Sequence, residues 1–181
     1  EPPCVTADDM MNRIDSRLRR IVVKACENSY PASKVVQTFE EYLVRAFMGK
    51  KIKTAADTWS DILLESPTIT EKKNSDAILV KFLFHPTSST GGFNRLLLHA
   101  VCEFHGLSAR SSTMQIVIDD ETQARVLTVT GNFIGEEVKL VDEVMRRADA
   151  HSSKRRVGAS QTPAAQSDVD MITMKTQSIK V

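Results

Sequence analysis

"DAILVKFLFHPTSSTGGFNRLLLHAVCEFHGLS", residues 76–108, changes its apolar period from two to 3.6 partway along. Ile78, Val80, Phe82 and Phe84 alternate with Leu79, Lys81 and Leu83, the spacing of a strand. Pro86 ends that strand, and "TSSTGG" reads as a loop whose hydroxyls cap a helix beginning near Phe93, with Gly106 as its stop. With Arg95 at zero and about 100° per residue, Phe93, Leu97, Ala100 and Phe104 fall within about 40° of the opposite pole, flanked by Leu96 and Val101. The spacing therefore predicts Phe93 in the core and Arg95 pointing away from it. His99 lies about 40° from Arg95 on one side and Cys102 about 20° on the other.

Outward from this unit, "TMQIVIDD" and "QARVLTVTG" read as two further strands, paired antiparallel about a tight turn at Asp119 to Thr122. Upstream, Thr6 and Asp9 form a capping pair for a helix over residues 7–28, with Met10, Met11, Ile14, Leu18, Ile21, Val22 and Ala25 at helical spacing. On that helix Arg13, Arg17, Arg20 and Lys24 would lie within about 60° of one another as a basic stripe. Such a stripe is ordinarily a solvated face; its functional reading is an accessory rail for phosphates. A second helix is expected over residues 33–48, burying Val36, Phe39, Leu43 and Phe47 and closing at Gly49. "ADTWSDILLES" suggests a short helical turn that places Trp59 in the core. Val138, Val141, Val144, Met145 and Ala148 mark a last helix, with Asp142/Arg146 and Glu143/Arg147 at the favourable four-residue spacing.

The 181 residues are 41% hydrophobic, enough for one core with flanking helices and a tail. No stretch is long and apolar enough to span a membrane, so no membrane partner is expected. The first residues lack a signal-peptide pattern, and the absence of a starting Met suggests a processed piece of something longer. Cys4, Cys26 and Cys102 match neither a zinc ribbon nor a disulfide framework, which points to a reducing, intracellular setting: cytoplasm or nucleus, or an organelle if a targeting segment was removed. A net charge of +1 argues for no partner by itself.

In chain order, Phe84 and Pro86, Arg95 and His99, "GLS" at 106–108 and "ARVLTV" at 124–129, with Arg125 at the start of the last strand, resemble the R-three-H domain, named for an arginine and a histidine separated by three residues. Residues 10–48 also look like the helical segment that precedes this domain in a subgroup of the family. The chain departs from the pattern at Asn94, where an acidic residue is usual, and in a longer stretch over residues 111–123. The resemblance implies an α/β (α+β) fold: a small three-stranded antiparallel sheet with helices on one face. It divides the chain into an N-terminal helical extension (1–32), an R-three-H-like domain (33–131), a C-terminal helix (132–150) and a disordered tail (151–181).

The resemblance also implies non-enzymatic binding of single-stranded nucleic acid, RNA ahead of DNA, with low sequence preference. Arg95 supplies a planar charged fork for phosphate or a base face, and His99 a donor to phosphate. Gly91 and Gly92 are expected to turn backbone N–H groups toward the same end, at the positive pole of the helix dipole. Two or three charge contacts bind weakly, so Lys81, Arg110, Arg125 or the stripe from Arg13 to Lys24 are expected to add to them.

Neither a cofactor nor a metal is expected, because His99, Cys102, Glu103 and His105 fan over about 160° of the helix. A His99/Cys102 nucleophilic pair lacks an oxyanion hole and an orienting third group. The alternative to direct binding is a scaffold subunit of a ribonucleoprotein assembly, docked on protein neighbours through the extra helices and the "DVDMITM" tail.

Overall fold

Thr6 and Asp9 do form a capping box: the Thr6 backbone N–H donates to Asp9 Oδ2 (3.0 Å) and the Asp9 N–H to Thr6 Oγ1 (3.1 Å). The helix they start is short. In the computed structural model, which describes residues 4–52, 56–71, 78–86, 89–115, 123–132 and 138–159, α1 (Ala7–Arg13) ends at an extended Ile14, and α2 (Ser16–Asn28) begins afresh. The single helix expected over 7–28 is therefore two. Asp15 is the cause: its carboxylate accepts the N–H groups of Arg17 (3.0 Å) and Leu18 (3.3 Å), which satisfies donors that a continuous helix would have used. Met10, Met11, Ile14, Leu18, Val22 and Ala25 are all buried in spite of the break.

α3 (Tyr30–Phe47) starts earlier than residue 33, because Ser29 caps it and Pro31 is tolerated in a first turn whose N–H groups have no intrahelical partner. It ends as expected at Gly49, φ +62°, with the Gly49 N–H on the Ala46 carbonyl and the Lys50 N–H on the Arg45 carbonyl. The 3-10 turn Ala56–Thr58 then delivers Trp59 into an aromatic cluster with Phe39, Tyr42 and Phe82.

The sheet has four antiparallel strands rather than three, in the order β1-β2-β4-β3. The added edge strand, β1 (Thr68–Glu71), pairs with β2 (Ile78–Phe84), and its start is tied down by the Tyr42 hydroxyl on the Pro67 carbonyl (3.0 Å). Next comes α4 (Ser89–Phe104), which begins four residues before Phe93 and so takes in Gly91 and Gly92. β3 (Ser108–Gln115) opens two residues after Gly106, five residues ahead of the expected start at Thr113. β4 (Gln123–Thr130) lies between β2 and β3; the turn expected at Asp119 to Thr122 lies outside the described residues. α5 (Leu140–Ala159) runs nine residues past the expected end at 150; residues 160–181, with "DVDMITM", lie outside the described residues.

One face of the sheet, built from Val80, Phe82, Phe84, Leu127 and Val129, is buried in a common core with the helices. The ladder Val80↔Val129, Phe82↔Leu127, Phe84↔Arg125 fixes which residues share that face. α5 is held to α1 by Arg147, which pairs with Asp8 and, at 2.6 Å, with Glu143. Arg146 also turns to Glu143 (2.7 Å) rather than to Asp142.

Candidate nucleic-acid interface

α4 is enclosed on more sides than its sequence suggests. Leu97, Leu98, Ala100, Val101, Cys102 and Phe104 are all fully buried, and so is His105 beyond the helix end. Leu98 and Cys102 are covered as well, and α1 and α2 pack against α4 in addition to the sheet and α3. Cys102, expected beside Arg95 on the outer edge, is thus a core residue, and burial, reinforced by the nearby Glu103 carboxylate, pushes its thiol far above the ordinary range.

What remains open is a strip. Phe93 (39% exposed) and Leu96 (41%) stand out of the surface, contrary to the core position expected for Phe93. Arg95, His99, Gly92 and Glu103 are half-buried. On an α-helix Gly92 neighbours Arg95 and Leu96, Arg95 neighbours His99, and Leu96 neighbours both Phe93 and His99, so these five make one contiguous patch. The Arg95 guanidinium lies back toward the helix start: Nη2 is 3.8 Å from the place where a Cβ on Gly92 would sit. Asn94, one residue before it, is buried.

Among the described residues, no carboxylate is within ion-pairing distance of Arg95. His99 has its proton affinity lowered first by burial and then by Arg95, while Glu103, one turn on, works the other way. Glu103 in turn accepts the Asp15 backbone N–H (2.8 Å), which fastens the start of α2 to this end of the strip.

The other expected contacts separate into two groups. Arg125 is exposed on the helix-covered side of the sheet, opposite Phe84, five residues before α4 begins; its Nη1 donates to Thr113 Oγ1 (2.8 Å). It belongs to the end of the sheet that leads into α4. Lys81 and Arg110 are exposed on the opposite side, in one row with Thr128 between them, so they do not join Arg95 and His99 in one site. Gly91 is buried and already interacts elsewhere in the protein, which leaves the outward position to Gly92. On α2, Arg17, Arg20 and Lys24 are exposed at helical spacing, and Arg17 follows Asp15 by two residues. Arg13 leaves the stripe because it ends α1, with Nη1 buried and lacking a hydrogen-bond partner among the described residues.

A cavity of about 450 Å³ elsewhere involves none of these residues; Glu40, Arg45, Lys50, Lys51, His105 and Lys139 line it. Among the described residues, no three His, Cys, Asp or Glu side chains gather as a metal site, and no helix is long and apolar enough to cross a membrane.

Residue spacing misses two members of the strip, Phe93 and Leu96. Helical angle places Phe93 in the core, but that angle holds only where another element reaches the helix, and among the described residues none covers this side at the first turns of α4. Leu96, expected to flank the buried pole, is open for the same reason. No protein-family model, no curated protein and no solved structure matches this chain. The chemistry of the strip is therefore read from its own residues.

Proposed function

We propose that the chain binds single-stranded nucleic acid, RNA ahead of DNA, through the α4 strip, with no chemical step and little sequence preference, as its resemblance to R-three-H domains implies. The observation that carries this reading is the Arg95 guanidinium: half-exposed, without a carboxylate in ion-pairing distance among the described residues, next to His99 on a helix whose other sides are packed into the core. A permanent charge left open on a rigid support suits a phosphate oxygen pair. Arg125 and the Arg17, Arg20 and Lys24 stripe supply further cations, one at the sheet end leading into α4 and the others from Asp15 onward along α2. Lys81 and Arg110, on the far side of the sheet, are left out of the site. Few phosphate contacts mean a weak interaction with a shallow salt dependence.

Titration of the protein with a labelled single-stranded RNA and the DNA of the same sequence tests the proposal, beside an Arg95→Ala, His99→Ala double variant whose fold is checked by circular dichroism. The double variant is expected to bind at least tenfold more weakly. Equal binding by both proteins removes the strip from consideration. No binding by either turns the reading to a scaffold subunit.

A further inference from the structure

Phenylalanine is placed in this protein with one exception among the described residues. Phe39, Phe82, Phe84 and Phe104 are fully buried and Phe47 is partly so, whereas Phe93 stands open. Single exposed apolar residues are common and need no function. Phe93 differs in its company: Leu96 lies beside it one turn on and is equally open, and Gly92 next to both has no side chain. The strip thus has an apolar edge, Phe93 and Leu96, running beside a cationic edge, Arg95 and His99. Leu96 joins the two edges, three residues from both Phe93 and His99, and the Arg95 guanidinium folds back over Gly92, the residue before Phe93.

We propose that Phe93, supported by Leu96, is a base-stacking platform, and that it determines the site's selectivity for strands whose bases are unpaired and free to turn outward. The inference rests on the reading of Arg95 and His99 as phosphate contacts. An aromatic face accepts any base, so stacking adds affinity without adding sequence preference. A duplex keeps its bases stacked on one another and offers the platform nothing, while its phosphates remain available to Arg95.

The test uses three labelled RNAs of one length: an intact single strand, the same strand with abasic sites, and the duplex. Wild-type protein is expected to bind the intact strand about tenfold more tightly than the abasic strand. Phe93→Ala is expected to bind both equally, at the wild-type abasic level, with an unchanged salt slope because no phosphate contact is lost. Phe93→Trp is expected to restore the preference and to show indole quenching by the intact strand only, wild-type protein supplying the baseline for the buried Trp59. Wild-type protein that binds abasic and intact strands alike, or Phe93→Ala that retains the preference, overturns the platform. If Arg95→Ala still weakens binding to every RNA in that event, the phosphate reading survives; if it weakens none, both fall together.

Discussion

The Glu103 carboxylate on α4 accepts the Asp15 backbone N–H at 2.8 Å, and so completes from a different helix the cap that Asp15 begins with its own side chain. In a capping box the returning carboxylate comes from the third residue of the same helix; in α2 that residue is Leu18, whose side chain is buried. Glu103 also sits one turn beyond His99 and favours its protonation. Glu103→Ala is expected to cost about 1 kcal/mol of stability through the lost cap. Glu103→Gln, which keeps an oxygen acceptor, is expected to cost less while moving the His99 titration to lower pH. Imidazole chemical shifts followed against pH check this; an unmoved His99 titration means the Glu103 charge does not reach it.

His99 is expected to make stability and the proposed binding respond to acid in opposite directions. Burial holds its proton affinity below the ordinary value of 6.5, so as the pH falls through that value the unfolded chain takes up a proton that the folded protein resists. The free protein therefore loses stability at this residue on the acid side. A bound phosphate reverses the preference, and affinity is expected to rise between about pH 7.5 and 5.5. His99→Gln should flatten both trends relative to wild type, read as denaturation midpoints and dissociation constants at the two pH values. A flat wild-type binding profile speaks against contact between His99 and the strand.

Much of this organisation is legible in the sequence where one element faces one neighbour. Strand β2, the Thr6/Asp9 cap, the Gly49 helix end and the Arg95/His99 adjacency each follow from local spacing, and each is present. β1 is not legible, because four residues with a single large apolar side chain, Ile69, carry no readable alternation and gain their place from β2 and Tyr42. The break at Asp15 is hidden by apolar residues that keep helical spacing through it. The facing of α4 is misread because a helical wheel assumes one buried pole, whereas α1 and α2 cover a second side and leave Phe93 uncovered.

Inside the core, Glu40 and His105 are 1% exposed and 2.6 Å apart, and Glu40 Oε1 also accepts the Leu140 backbone N–H at 2.8 Å. One carboxylate thus joins α3, the turn after α4 and the start of α5. Glu40→Ala is expected to destabilise by about 3–5 kcal/mol, since it strands the Leu140 N–H and the imidazole in the core. The double variant Glu40→Leu, His105→Leu should recover part of that loss, because apolar side chains leave one fewer buried polar partner unmatched. Urea midpoints of the single and double variants measure the difference. A single variant as stable as wild type would show that α5 docks independently of this carboxylate.

Glu143 gives α5 its own acid limit. The Arg146 guanidinium first, and Arg147 with it, hold the Glu143 carboxyl at about 2, down from an ordinary 4.5. A depressed carboxyl stabilises the fold above its unfolded value, and that contribution is lost as the pH falls from about 4.5 toward 2. Glu143→Gln is expected to lower the melting temperature at neutral pH and to make the decline below about pH 4.5 shallower. Thermal melts across this range read both effects. Parallel curves for the two proteins would locate the acid sensitivity elsewhere.

Gly92 separates the demands of folding from those of the strip. Its φ is not positive, and among the described residues a Cβ added there would meet only Arg95 Nη2, at an ordinary 3.8 Å, so their packing does not require a glycine. Alanine at an exposed helical position stabilises by up to about 1 kcal/mol relative to glycine, somewhat less in a first turn. Gly92→Ala is therefore expected to raise the melting temperature slightly. The same methyl would fill the bare spot between Arg95 and Leu96, in the middle of the proposed binding strip. Binding to an intact single strand is expected to weaken severalfold as the fold gains stability, a divergence that a merely structural glycine does not produce. A variant that is stabilised and binds as tightly as wild type would mean that the strand does not cross the helix at this point.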